Sequence, residues 1–168
     1  MEANKQALIN YMVNVLEPKN EAFGNLPMCP FVKKERLKNR ILFEKVIFGA
    51  EPGDQVISLI SSTFAHTDEN TLLAFDTDTT LGLDEFIEYG KKLCDLFSRN
   101  KIISIALHPL DNFNIHGHFT RKVPFPTLLV QTARQISAAK TTLMATQYYK
   151  FWTKEDLDNN FEQFAKYL

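Results

Sequence analysis

Thr71-Leu72-Leu73-Ala74-Phe75-Asp76-Thr77-Asp78, then Leu83, Phe86, Ile87, Leu93 and Phe97, then Ile102-Ile103-Ser104-Ile105-Ala106-Leu107-His108, is the stretch on which the fold turns. Its two ends are short apolar runs, the length of strands covered on both faces and too short for core helices. The residues between them recur at helical spacing, and a strand, one crossover helix and a strand predict a parallel pair with a right-handed connection. Towards the amino terminus, Arg40 to Phe48 is rich in β-branched and aromatic residues and ends at Gly49, which predicts another strand. Asp54 is placed to cap a helix carrying Val56, Ile57, Leu59, Ile60 and Phe64. Leu8, Ile9, Met12, Val13 and Leu16 predict an amphipathic helix over about residues 3–17, stopped by Pro18. Towards the carboxyl terminus, Pro126 is predicted to open a helix with Leu128, Leu129, Thr132, Ile136 and Ala139. Thr153 to Asp156 opens a last one with Leu157, Phe161, Phe164 and Leu168 on one side, and residues 141–152 fit strand or helix equally. The expected fold is one α/β domain over residues 1–168: a small parallel-type sheet of about three strands, helices packed on it, and additional C-terminal helices.

Composition supports one cored unit: 168 residues that are 45% hydrophobic and 23% charged suffice for one ordinary domain and exclude a disordered chain. Nineteen basic against twenty acidic residues leave a net charge of -1, so no electrostatic footprint for nucleic acid or an anionic membrane exists. The amino-terminal residues lack a basic region followed by an apolar core, and no apolar run approaches the roughly 18 residues of a membrane span. A cytoplasmic protein with a small-molecule ligand is the expectation, and no protein partner is identified. In a reducing compartment Cys29 and Cys94 are not expected to pair, and Cys94, on a helix among Leu93, Leu96 and Phe97, reads as a packed thiol.

In parallel sheets ligands bind outside the carboxyl ends of the strands, which brings Asp76, Asp78 and His108 to one edge. The segment after His108 also holds Asp111, Asn112, His116 and His118. If extended, His116-Gly117-His118 turns two imidazoles to one side, able to grip a metal with His108, Cys29 or an aspartate as third ligand. A thiolate would favour zinc or haem iron, a carboxylate non-haem iron or manganese, and solvated loop histidines are the plainer alternative. Leu72 to Leu81 also resembles the nucleophile motif of haloacid-dehalogenase-like phosphatases, with Asp76 as nucleophile and Asp78 as proton donor, although the later serine or threonine, lysine and acidic pair of that superfamily are missing. Cys29, between Pro27 and Pro30, reads as nucleophile, ligand or packing residue, and a histidine base would activate it. Arg121 and Lys122, ahead of Pro124-Phe125-Pro126, are candidates for holding a carboxylate or phosphate, with Asn112 beside them in the substrate site.

Asn25 to Lys33 with its Cys29-Pro30-Phe31, His108-Pro109 followed by Phe113, and Arg121-Lys122-Val123-Pro124-Phe125-Pro126 resemble domain-of-unknown-function family 1415 of uncharacterised bacterial proteins, over most of the chain. The resemblance implies a site built from Cys29, Pro30, His108, Arg121, Pro124 and Pro126 and carries no activity with it. A fainter similarity to haem-dependent N-oxygenases would make Cys29 or a histidine of the 108–118 segment an axial ligand. The expected function is a small enzyme acting on a small polar or amino-acid-like metabolite, with Cys29 and His108 at the chemistry, Arg121 orienting the substrate, and haem or a transition metal as an optional cofactor for oxidoreductase chemistry. A non-catalytic ligand-binding or protein-interaction module, with Tyr148 to Trp152 as a partner surface, is the alternative.

Overall fold

A four-stranded sheet with helices on both faces organises the chain, of which the computed structural model describes residues 2–161 and 164–168. The first helix, α1 (Glu2–Tyr11), runs into a π-helical turn (Met12–Leu16) where the Glu17 N–H reaches the Met12 carbonyl. Two short strands, β1 (Lys19–Asn20) and β2 (Leu26–Pro27), pair antiparallel and lead to α2 (Val32–Leu37). Then come β3 (Ile41–Lys45), α3 (Asp54–Phe64), β4 (Thr71–Phe75), α4 (Leu83–Leu96) and β5 (Ile102–Leu107), close to the predicted ranges. Gly53, rather than Asp54, occupies the cap position of α3. The small hairpin of β6 (Asn114–Ile115) and β7 (His118–Phe119) precedes β8 (Thr127–Thr132), α5 (Ala133–Met144) and α6 (Lys154–Phe161). Residues 141–152 therefore finish α5 and continue in turns, and the side chain of Phe161 lies outside the described residues. No helix among the described residues is long and apolar enough to cross a membrane.

The strand order is β3-β4-β8-β5. β3 and β4 pair in parallel, while β8 pairs antiparallel with both β4 and β5, so β3, β4 and β5 all point the same way. The helix expected to start at Pro126 is corrected: residues 127–132 are the strand that fills the gap between β4 and β5. Leu128, Leu129 and Thr132 satisfy helical spacing, but Thr127, Leu128 and Val130 are fully buried and the segment bonds to a strand on each side. A helix there would leave the facing edges of β4 and β5 unpaired, a cost larger than local preference can offset. The helix starts where the strand ends: Thr132 Oγ1 accepts from the Gln135 N–H while Gln135 Oε1 accepts from the Thr132 N–H.

Period-two alternation sorts the strands into two cores. Leu72, Ala74, Ala106, Leu128 and Val130 pack with Val56, Ile60, Phe86, Tyr89 and Leu93 of α3 and α4. On the opposite face Leu73 meets Met12 and Val32, while Ile103 and Ile105 meet Ala133 and Ile136 of α5. Cys94 is buried, as expected, exchanging hydrogen bonds with the Ser104 backbone.

Candidate functional site

The face carrying α1 and α5 is not fully packed. A cleft of about 570 Å³ runs along it between α5 and the π-helical turn, with Thr71 and Gln131 towards one end and Leu107 and Arg121 towards the other. It continues into an inner compartment of about 130 Å³ walled by Leu8, Met12, Val32 and Leu73, and Tyr11, Cys29, Glu35 and Leu129 line both. The π-helical turn gives the site its shape. One extra residue in the turn carries Leu16 to the cleft wall, where its carbonyl accepts from the Cys29 N–H and ties the Cys29 segment alongside. Aliphatic and aromatic side chains make up the larger part of the walls, with polar and charged groups such as Glu35, Arg40, Thr71, Arg121 and Gln131 among them, a makeup that suits a small-molecule site.

Cys29 lies at the junction of the two compartments, where the nearby main-chain N–H groups of Val32, which donates to the Cys29 carbonyl at 3.2 Å, and of Phe31 favour its thiolate form. Burial nevertheless outweighs those N–H groups and pushes the thiol above the usual cysteine range, leaving it protonated at neutral pH. The Tyr11 hydroxyl donates to the Thr120 carbonyl at 3.3 Å, and that of Tyr148 donates to the Met28 carbonyl. Burial, reinforced by the nearby Cys29, raises both phenols well above their ordinary value.

His108 is elsewhere. It follows Ala106 by two positions and so belongs to the α4 face, where its ring lies 6.0 Å from that of Phe86 and Nε2 is 3.3 Å from the Leu81 carbonyl. The Leu110 N–H donates to its Nδ1, which assigns the proton to Nε2. Cys29 and His108 are thus on opposite faces of the sheet and form no dyad. Arg121 lines the cleft, but its Nη2 donates to the Asn159 and Asn160 carbonyls at 3.0 and 2.6 Å and its guanidinium lies 4.5 Å from the Phe113 ring centre. Those carbonyls belong to the last turn of α6, so Arg121 caps that helix as well as facing the cleft. Lys122 and Asn112 are exposed, the former with its ammonium 4.7 Å from the Phe119 ring centre.

The extended His116-Gly117-His118 segment is also corrected. Ile115 pairs with His118, leaving His116 and Gly117 as a two-residue turn with φ of 48° and 83°. Those angles suit a type I′ turn, whose twist matches the flanking strands, and it turns the two imidazoles apart. His116 Nε2 bonds to the Phe151 carbonyl, and the His118 ring faces Asn20 Nδ2 and the Phe23 edge. Among the described residues no three His, Cys, Asp or Glu side chains converge as metal ligands, so Cys29, His108, His116 and His118 are not brought together.

Asp76 does emerge at the sheet edge predicted for it. Its two oxygens accept from the Phe48 and Asp78 N–H groups at 2.8 and 2.9 Å, clasping the loops after β3 and β4. Asp78 points to solvent and pairs with Lys45 at 2.9 Å, which lowers its pKa. Both carboxylates therefore have structural partners.

Sequence reasoning missed Tyr11, Glu35, Arg40, Thr71, Gln131 and Tyr148 as lining residues. Thr71 and Gln131 were detectable in principle as polar residues at core-facing positions, once residues 127–132 are a strand. No family model, no curated protein and no solved structure matches this chain.

Proposed function

We propose that this chain binds a small molecule in the cleft between the sheet and α1, α2 and α5. The cleft carries the proposal: about 570 Å³, lined chiefly by apolar side chains with a minority of polar groups, is within the range of ligand pockets of about 300–1,000 Å³. Ligand binding of this kind accounts for leaving one sheet face incompletely packed, since voids in a core otherwise cost stability. The test is fluorescence of 1-anilinonaphthalene-8-sulfonate with the full chain, backed by Leu129→Trp on the strand side and Ala139→Phe on the helix side. Saturable binding that either folded variant weakens at least fivefold supports the proposal. Saturable binding unaffected by both variants, or none at all, overturns it.

A second reading, an enzyme acting on a small polar metabolite, is favoured by one observation: the Cys29 thiol lines both compartments of the cleft. Arg121 would then orient an anionic group from the far end of the cleft, and His108 would act only through the loop that joins it to Arg121, whose carbonyl accepts from the His108 N–H. The resemblance to family 1415 is compatible with either reading, because its Cys29 and Arg121 segments both border the cleft.

A further inference from the structure

A sheet face covered by helices calls for apolar residues, and β4 and β8 supply them at Leu73 and Leu129. At the next inward positions they do not. The register that sets Leu72 opposite Val130 puts Thr71 beside Gln131, and Gln131 Nε2 donates to Thr71 Oγ1 at 2.9 Å. That bond uses one of the two amide N–H groups, so the Gln131 carbonyl and the Thr71 hydroxyl proton can serve a ligand. Both residues line the inner compartment, and so does Glu35.

Arg40 completes the cluster. The Thr71 N–H donates to the Arg40 carbonyl and the Arg40 N–H to the Glu35 carbonyl, so the main chain holds these groups together. Arg40 Nη2 lies 2.8 Å from Glu69, but its Nη1 is 3.8 Å from Glu35, too long for a hydrogen bond. Arg40 and Glu35 are thus ion-paired without a hydrogen bond between them, which leaves Nη1 with donor capacity and the Glu35 carboxylate with acceptor capacity side by side. A ligand carboxylate alone would add a third negative charge around one guanidinium, and an ammonium alone would face Arg40. A group bearing both satisfies Arg40 and Glu35 with no change in net charge.

We infer that this end of the cleft is a site for an apolar α-amino acid: its carboxylate on Arg40, its ammonium on Glu35 and the Gln131 carbonyl, and its side chain in the inner compartment. The inference rests on the small-molecule reading above. At about 130 Å³ the compartment is near the roughly 150 Å³ apolar cavity known to take benzene, which suits a leucine or phenylalanine side chain.

The experiment is isothermal titration of the full chain with L-leucine and L-phenylalanine, then with glycine, N-acetylleucine and leucine amide. Leucine or phenylalanine should bind, and glycine and both blocked forms should bind at least tenfold more weakly. Glu35→Gln, Gln131→Leu and the near-isosteric Thr71→Val should each weaken leucine at least fivefold while the far-ultraviolet circular dichroism stays that of the folded parent. If the dye binds the cleft but neither amino acid does, or if blocked and free leucine bind alike, or if all three folded variants bind leucine as the parent does, the inference is overturned and the small-molecule reading stands. If neither the dye nor any amino acid binds, both fail together.

Discussion

Cys29 is the residue where chemistry and packing compete most directly. Two main-chain N–H groups lower its pKa, but desolvation raises it further, so the thiol form dominates at neutral pH. Iodoacetamide should therefore alkylate Cys29 more slowly at pH 7 than an unperturbed thiol, with the rate still climbing through pH 9 as thiolate forms. Mass spectrometry of the Cys29 peptide measures this, and a rate already level between pH 7 and 9 would contradict the burial argument. Arg121 shows the same competition resolved differently: its cation was legible as an anion-binding candidate, yet the fold gives part of it to the carbonyls that end α6. His108 was legible as an edge residue, but which face it takes follows from its parity with Ala106, and that parity separates it from Cys29.

At the scale of elements, the junction of β8 and α5 decides the architecture. Thr132 ends the strand with its backbone and starts the helix with its side chain, through the reciprocal bonds with Gln135. Thr132→Ala should lower stability by about 1 kcal/mol, the usual value of such a cap, measured by urea unfolding. No loss would mean that packing of Ala133 and Ile136 alone positions α5. The same junction explains the misread helix. Leucines at 128 and 129 with Thr132 and Ile136 match a 3.6-residue period, and nothing local distinguishes them from a strand followed by a capped helix. β3, β4 and β5 escaped this ambiguity because Gly49 or polar turns bound them on both sides, whereas the two-residue strands β1, β2, β6 and β7 are too short to show a period and went unread.

For the whole molecule, burial of phenols sets the alkaline limit. All five tyrosines have pKa values raised, chiefly by desolvation, with Tyr89 and Tyr149 pushed up to about 12 and Tyr11 and Tyr148 further still. A group whose folded pKa exceeds its unfolded value of about 10 stabilises the fold fully below pH 10 and loses that contribution as pH rises towards the folded value. Stability should therefore fall steeply between pH 10 and 12, with phenolate absorbance near 295 nm appearing together with loss of far-ultraviolet circular dichroism. Phenolate absorbance that develops fully before any unfolding would show the tyrosines to be freely ionisable. Tyr11 and Tyr148 flank the cleft, so a bound ligand should move this alkaline transition upwards.

Local pattern by itself determined the alternation of strands and helices from β3 to β5, the common direction of those three strands, and the meeting of Asp76 and His108 at one sheet edge. These follow from hydrophobic period and chain connectivity, which need only neighbours in sequence. Tertiary structure alone decided that residues 127–132 enter the sheet, because the deciding energy is the pairing of two strand edges distant in the chain. It also decided that Cys29 faces a cleft without His108, and that Thr71 and Gln131 form a polar pair on an apolar face. A side chain's type is written in the sequence, but its partner is chosen by the packing of elements.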